Sequence, residues 1–127
     1  MTMTTAIILN HDLTPEQLTE LRNPGGQIVV LPPELRPLWG QVPAEGSYGE
    51  VKQHLLPVLD WLYAIKADTV VCQGDFTAFA VLLRTCEEHS ISLLVATSRR
   101  DSVEETLPDG SVVKKNVFRH VQFRRVA

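Results

Sequence analysis

Polar side chains that could bind an anion directly follow three of the four short apolar runs in this sequence. Asn10 and His11 follow the first run, Gln73 and Gly74 follow the third, and a polar segment at residues 97–100 follows the fourth. Amides, hydroxyls and guanidinium groups are hydrogen-bond donors that suit phosphate oxygens. If the four runs are parallel strands, their carboxyl ends meet at one sheet edge, where such folds bind ligands. We therefore expect a binding site there.

The segment after the fourth run carries the strongest anion signal. Arg99 and Arg100 are adjacent guanidinium groups, which can hold phosphate oxygens bidentately, and Thr97 and Ser98 add hydroxyl donors. We predict Arg99 as a catalytic, charge-stabilising group and the other three as substrate-binding residues. A charged surface loop is the alternative interpretation of the same four residues.

His11 is the candidate acid or base, because a histidine at a strand end can transfer protons near neutral pH. Asn10 beside it is a candidate ligand for ribose or phosphate, although both residues also fit a plain turn into the next helix. The other histidines carry weaker signals. We expect His54 and His89 on helix surfaces and His120 on a solvated face of the last strand.

The three residues at positions 73–75 have different predicted roles. Asp75 is a good helix N-cap, and its negative charge makes it a poor phosphate ligand. Gly74 permits a turn and lets a ligand approach the backbone, which leaves Gln73 as the side chain that reads the ligand. Neither a GxGxxG nor a Walker pattern occurs, so classical dinucleotide or P-loop binding is disfavoured.

No metal or cofactor is expected from the residue spacing. The two cysteines, Cys72 and Cys86, have no neighbours at metal-ligand spacing, and we interpret both as small buried residues in a reducing compartment. No Ser-His-Asp arrangement or nucleophile elbow can be assembled either.

The elements that position these residues alternate between strands and helices. The four apolar runs are short and β-branched, as in parallel strands buried on both faces: 6–9, 28–31, 69–72 and 91–96. Capping boxes at Thr14 and Ser47 begin the first two helices. The first helix should end near residues 23–26, Pro57 should kink or delay the second, and Asp75 should cap the third.

Two further segments complete the organisation. Strand-like stretches at 103–107 and 112–124 flank the turn sequence Pro108-Asp109-Gly110 and predict a hairpin. Residues 32–46 hold four of the eight prolines and an apparently unsupported Trp39, which indicates an ordered loop, a lid or a subunit contact. We predict one α/β domain over residues 1–127: a Rossmann-like open parallel sheet with flanking helices and an appended C-terminal β-hairpin.

Composition limits the function classes. With 127 residues, 44% of them hydrophobic, the chain can bury a core, and its net charge of −3 argues against binding long nucleic acids. The apolar N-terminal run lacks a basic flank and is too short for a signal peptide, and no run approaches a membrane span. We expect a cytoplasmic protein without membrane contact.

Five segments in the same order resemble a small family of accessory proteins encoded with type III CRISPR systems. They are LNHDLTPEQ (9–17), LPPELRPLWGQVP (31–43), VCQGDFTA (71–78), ATSRR (96–100) and LPDGSVVKKNVFRHVQFR (107–124). The resemblance spans most of the chain.

This resemblance implies a metal-independent ring nuclease related to CARF sensor domains. Such proteins degrade cyclic tetra-adenylate, the second messenger that activates type III antiviral defence, and they usually act as homodimers with the ligand at the dimer interface. Two alternatives stay open at this point: a sensor or sponge that binds cyclic oligoadenylate without cleaving it, and a protein-interaction subunit that uses the proline-rich segment.

Overall fold

The computed structural model describes residues 3–22 and 25–127, and its centre is a five-stranded sheet. The strand order is β2-β1-β3-β4-β5. The first four strands run parallel, and β5 pairs antiparallel with β4. The α/β class with an appended hairpin is therefore confirmed. The strands are β1 (Thr4–Ile8), β2 (Gln27–Val30), β3 (Thr69–Cys72), β4 (Ser92–Thr106) and β5 (Val112–Arg125).

Five helices connect and cover these strands: α1 (Pro15–Leu21), α2 (Arg36–Gly40), α3 (Tyr48–His54), α4 (Leu56–Ala64) and α5 (Phe76–Glu88). Both capping boxes form, at Thr14 and at Ser47. The Asp75 carboxylate accepts the backbone N–H groups of Thr77 and Ala78 at 2.9 and 3.0 Å, so the predicted cap is confirmed. The expected break near Pro57 falls at Leu55, between α3 and α4. We predicted that the first helix ends near residues 23–26; residues 23 and 24 lie outside the described residues.

The sheet separates two apolar clusters. The larger one packs α2 to α5 against one face and includes both cysteines; the smaller one packs α1 against the other face, around Ile7, Leu9 and Val71. Cys72 and Cys86 are buried and free, as predicted. Burial raises the pKa of the Cys72 thiol to about 12 and that of Cys86 to about 11, so both stay protonated at neutral pH.

Strand β4 is far longer than the sequence suggested. We predicted an end at Ala96, but the strand continues to Thr106, because β5 supplies hydrogen-bond partners along its whole length. β3 pairs with β4 only at Ser92–Leu94. Beyond the sheet, residues 98–106 and 112–120 form a two-stranded extension that we call the distal ribbon.

The proline-rich segment is not an unsupported loop. It contains α2, and the Trp39 side chain is 1% exposed, among the largest fully buried groups of the chain. Its support comes from residues 73 and 74, more than thirty positions later, so the local sequence could not reveal it. Within the described parts of the chain, no helix combines the length and apolar character needed to span a bilayer.

Candidate functional site

The order of the strands places a topological switch point between β1 and β3, where ligands commonly bind in open α/β sheets. Trp39 occupies the α2 side of this crevice. Its indole Nε1–H donates to the backbone oxygen of Gln73 at 2.9 Å, and a methyl group on Gly74 would lie 2.8 Å from Nε1. The backbone of Gly74 is therefore approached by an indole ring of the same chain, in the position we predicted for a ligand.

Asn10 and His11 lie at the carboxyl end of β1, as predicted. Asn10 faces α2: its Oδ1 would be 3.1 Å from a methyl group on Gly40. His11 is exposed, and its Nδ1–H donates to the backbone oxygen of Asp12 at 2.9 Å. Both residues therefore stand at the rim of the crevice that Trp39 fills.

The two predicted arginines point to opposite faces of the hairpin, because side chains alternate along a strand. Arg100 pairs with Phe118, and its guanidinium carbon lies 5.3 Å from the centre of that ring. Arg99 pairs with Arg119, which forms an ion pair with Asp101 at 3.0 Å on the other face. The prediction that both clamp one phosphate is therefore wrong within a single chain, since it assumed a loop where the strand continues.

The same alternation divides the hydroxyl pair. Ser98 shares a face with Arg100 and pairs with His120, whereas Thr97 shares a face with Arg99. The Thr97 hydroxyl donates to the backbone oxygen of Gln122 at 2.8 Å. Ser98, Arg100 and His120 thus lie on the α1 side of the sheet, the side that holds Leu94 and Phe123 of the smaller core.

A cavity of about 560 Å³ opens on this side, between the start of α1 and β5. Its walls are residues 14–16 and residues 117–120, and we call it the α1 cavity. Phe118 is 65% exposed and carries the Arg100 guanidinium above its ring. Glu16 also lines the cavity on the α1 side, and Arg119 lines it on the β5 side.

His120 is not on a solvated face, so that prediction is wrong. Its side chain is only 9% exposed, and Nε2–H donates to Oε1 of Glu20 at 2.7 Å. The second oxygen of Glu20 accepts the backbone N–H of Phe123 at 2.7 Å. Burial by itself raises the pKa of Glu20, but these hydrogen bonds, from Phe123 and then from His120, outweigh it and lower the pKa below 4.5. The carboxylate is therefore charged at neutral pH.

The remaining nitrogen of His120 has no partner. Nδ1 is buried and makes no hydrogen bond, which is uncommon for a buried polar atom. The sequence could not indicate this arrangement, because Glu20 and His120 are 100 positions apart. Only the docking of α1 on the hairpin brings them together.

The other histidines show no comparable arrangement. His54 is half-buried, and its Nε2–H donates to the backbone oxygen of Leu38 at 2.8 Å, so it is not the surface residue we expected. His89 is exposed and lies 3.2 Å from the Tyr63 hydroxyl, as a surface position predicts. Within residues 3–22 and 25–127, no three His, Cys, Asp or Glu side chains form a group that could hold a metal ion.

A second cavity, of about 280 Å³, lies between β3, β4 and the start of α5. Gln73 and Gly74 line it together with Val95 and Ala96. At its edge stands Phe76, a 93% exposed aromatic side chain that the sequence analysis overlooked. Its walls are mainly apolar, whereas the α1 cavity is lined by Glu16, Arg119 and His120.

Comparison with known proteins extends over nearly the whole chain. Residues 3–124 match the model of the uncharacterized protein MJ1673 family. The chain is 25% identical over 123 residues to uncharacterized protein MJ1673 of Methanocaldococcus jannaschii, covering 94% of this chain and 93% of that protein. No solved structure matches.

Proposed function

The chain belongs to the MJ1673 family, and we propose that it is a ring nuclease that binds cyclic tetra-adenylate and cleaves it to linear di-adenylate. In this role it removes a second messenger and switches off type III CRISPR signalling. The reaction needs no metal or cofactor. The resemblance of the five ordered segments supplies the substrate class, and the α1 cavity supplies the chemistry.

One observation carries the proposal: an imidazole, a guanidinium and a hydroxyl lie on the same face beside one cavity. These are His120, Arg100 and Ser98. Of the three, His120 lines the cavity, and Arg100 lies over the ring of Phe118, which also lines it. Cleavage of a ribonucleotide phosphodiester requires a base for the 2′-hydroxyl and positive charge for the phosphorane. An imidazole and a guanidinium therefore lie beside the cavity.

The reaction is an intramolecular transfer of the phosphoryl group. The ribose 2′-oxygen attacks the adjacent phosphorus, the P–O5′ bond breaks, and the products are a 2′,3′-cyclic phosphate and a free 5′-hydroxyl. Arg100 suits the phosphate oxygens, on which negative charge accumulates in the transition state. We assign Ser98, on the same face of β4, as a hydroxyl donor to a ribose or phosphate oxygen.

The acidic wall of the cavity limits how the ligand can lie. Glu16 would repel a phosphate, whereas its carboxylate can accept hydrogen bonds from ribose hydroxyls or an adenine amino group. We therefore orient the phosphate toward Arg100 and the neutral parts of the nucleotide toward α1. A longer nucleic acid would bring further phosphates against Glu16, in keeping with a small ligand.

A second copy of the chain is part of the proposal. Cyclic tetra-adenylate is symmetric, and a two-fold dimer would present each group twice to it. The distal ribbon is a suitable contact surface, because it exposes large apolar side chains on both strands: Val103, Val112, Val113, Val117 and Phe118. We place the homodimer in the cytoplasm, where its ligand is made.

Incubation with cyclic tri-, tetra- and hexa-adenylate in EDTA, followed by mass spectrometry, tests the activity. We expect the tetra-adenylate ring to be converted to linear di-adenylate with 2′,3′-cyclic phosphate ends. An intact ring after hours with excess protein would refute the nuclease. If the ring then also raised the melting temperature, a non-catalytic sensor or sponge would replace it.

A further inference from the structure

Strand β4 has an edge that no other strand covers along the distal ribbon. β3 pairs with this edge only at residues 92–94, whereas β5 pairs with the opposite edge as far as Thr106. Residues 98–106 are exposed, apart from the half-buried Asp101, and among the described residues no strand pairs with them on the β3 side. The backbone N–H and C=O groups along such an edge can pair with an added strand.

The other edges of the sheet are less suited to an added strand. β2 has only four residues. β5 carries five lysine and arginine side chains and no acidic one, so two copies of β5 side by side would bring like charges together. β4 contains neither lysine nor proline, the residues that commonly protect an exposed edge. The free edge of β4 is therefore the one that lacks this protection.

The charges along this edge match those of a second, antiparallel copy of the same strand. Arg99 and Arg100 lie toward one end, and Glu104 and Glu105 lie toward the other. Directly opposite residues of an antiparallel pair share a face, so a two-fold axis normal to the sheet places one residue opposite its own copy. With Ser102 on this axis, Arg99 lies opposite the partner's Glu105. Arg100 lies opposite the partner's Glu104, so the two copies form four pairs of opposite charge.

Other registers lose this match. An axis at any charged residue of the segment 99–105 places that charge against its own copy. An axis at Val103 places Asp101 opposite the partner's Glu105. Like charges directly opposite each other destabilise a sheet. Within this segment, only the register centred on Ser102 pairs each arginine with a glutamate.

Three of the four side chains in these pairs have no ionic partner within one chain. Among the described residues, Arg99, Arg100 and Glu104 form no salt bridge, whereas Glu105 forms one with Lys115. A second copy would supply the missing opposite charges. The guanidinium group has five N–H donors, so Arg100 can contact a carboxylate of the partner and still donate to a phosphate oxygen.

We propose that two copies of the chain associate through the free edges of β4, antiparallel and centred on Ser102. Residues 98–106 of both copies then pair over about 30 Å, and the two five-stranded sheets join into one. The two domain bodies lie at opposite ends of the paired ribbons. The inference rests on the homodimer of the proposed function and not on cleavage of the ring.

Charge reversal tests the register in the full-length chain. Arg99→Glu and Glu105→Arg each replace two attractive pairs of the homodimer by repulsive ones. We expect each variant alone to raise the dimer dissociation constant, measured by sedimentation across a dilution series, by about tenfold or more. In an equimolar mixture, every reversed charge meets an opposite one, so the heterodimer should regain the wild-type affinity to within about threefold.

Mixing separates a contact between chains from an effect within one chain, because a change confined to one chain persists in the mixture. Circular dichroism verifies that each variant is folded. If one of them does not fold, Arg100→Glu mixed with Glu104→Arg makes the same test on the opposite face of the ribbon. Variants that associate like wild type, or a mixture that stays dissociated, would overturn the proposed register.

A cysteine on the axis tests the same contact without altering a charge. Both native cysteines are buried, so Ser102→Cys adds an exposed thiol that lies directly opposite its own copy. Mild oxidation should yield a disulfide-linked dimer on a non-reducing gel. Ser111→Cys, in the turn at the tip of the ribbon, is the matched control and should stay unlinked, because the two tips point in opposite directions.

The outcomes distinguish this contact from the proposed function. A wild-type chain that stays monomeric would overturn both the homodimer of the proposed function and this inference. A wild-type dimer that links no faster through Ser102→Cys than through Ser111→Cys would overturn the β4 contact and leave the nuclease standing. A dimer that links through Ser102→Cys but leaves the cyclic tetra-adenylate ring intact would support the contact and refute the nuclease.

Discussion

Replacing Gly74 with alanine tests whether Trp39 fills the switch-point crevice. A methyl group at this position would lie 2.8 Å from Nε1, 2.9 Å from Cε2 and 3.0 Å from Cζ2 of the indole. Real side chains essentially never approach so closely, and a buried ring cannot yield like a flexible surface chain. Either the ring or the turn after β3 must move.

The expected cost combines two effects. Overpacking in a well-packed core costs about 1–3 kcal/mol. Displacing the indole also weakens its hydrogen bond to the Gln73 oxygen, which contributes about 0.5–1.5 kcal/mol and leaves a buried N–H without a partner. We expect Gly74→Ala to lower the free energy of unfolding by about 2–4 kcal/mol, and the melting temperature by roughly 8–15 °C.

Urea unfolding followed by tryptophan fluorescence and circular dichroism measures this cost. Gly49→Ala is the matched control, because a methyl group there meets nothing nearer than the Ser47 hydroxyl at 3.8 Å and lies within α3. It should be neutral or slightly stabilising. A double-mutant cycle with Trp39→Phe, which removes the indole nitrogen, should reduce the cost of Gly74→Ala by at least about 1 kcal/mol. If Gly74→Ala were as stable as Gly49→Ala, or if the two sites showed no coupling, the contact between Trp39 and Gly74 would be refuted.

Three further predictions follow from the site and the core. Arg100→Ala should weaken binding of cyclic tetra-adenylate by about tenfold or more, because it removes a charge-assisted hydrogen bond. Arg99→Ala, on the opposite face, should weaken binding by less than about threefold. Equal losses of affinity in a binding titration would contradict this assignment. Because the folded-state pKa of Glu20 is lowered, its contribution to stability is present above pH 4.5 and is lost as the pH falls through the folded-state value. Glu20→Gln should therefore lose less stability than wild type between about pH 6 and about pH 3 in urea unfolding, and an identical loss would contradict the pair. Burial raises the pKa of both thiols, so neither Cys72 nor Cys86 should react with iodoacetamide in the native protein at about pH 8. Both should react in denaturant. Rapid alkylation of the native protein, detected by mass spectrometry, would contradict this prediction.

The predictions from sequence succeeded where the signal is local. The capping boxes at Thr14 and Ser47, the cap at Asp75 and the apolar runs of β1 to β3 each depend on residues a few positions apart. The predictions failed where the local structure depends on a partner that is distant in the sequence. Trp39 looked unsupported because its hydrogen-bond partner is 34 residues away, and the end of β4 was misplaced because β5 continues to pair with it.

For the candidate site too, the sequence located some residues correctly and could not locate others. The carboxyl ends of the strands were correctly located for Asn10, His11 and Gln73, but strand alternation separates Arg99 from Arg100 once both lie in β4. Glu20 and His120 are hydrogen-bonded on the α1 side although they lie 100 positions apart in the sequence. Their contact depends on how α1 docks on the hairpin, which no spacing along the chain encodes.

Cleavage of cyclic tetra-adenylate in ¹⁸O-labelled water tests the central claim most directly. If the ribose 2′-oxygen attacks phosphorus, the first product is a 2′,3′-cyclic phosphate whose oxygens all come from the substrate. We predict linear di-adenylate with no ¹⁸O in the phosphate at the earliest time points, read by mass spectrometry. Incorporation of one ¹⁸O in that first product would show attack by water, and a ring that stays intact would contradict the nuclease altogether.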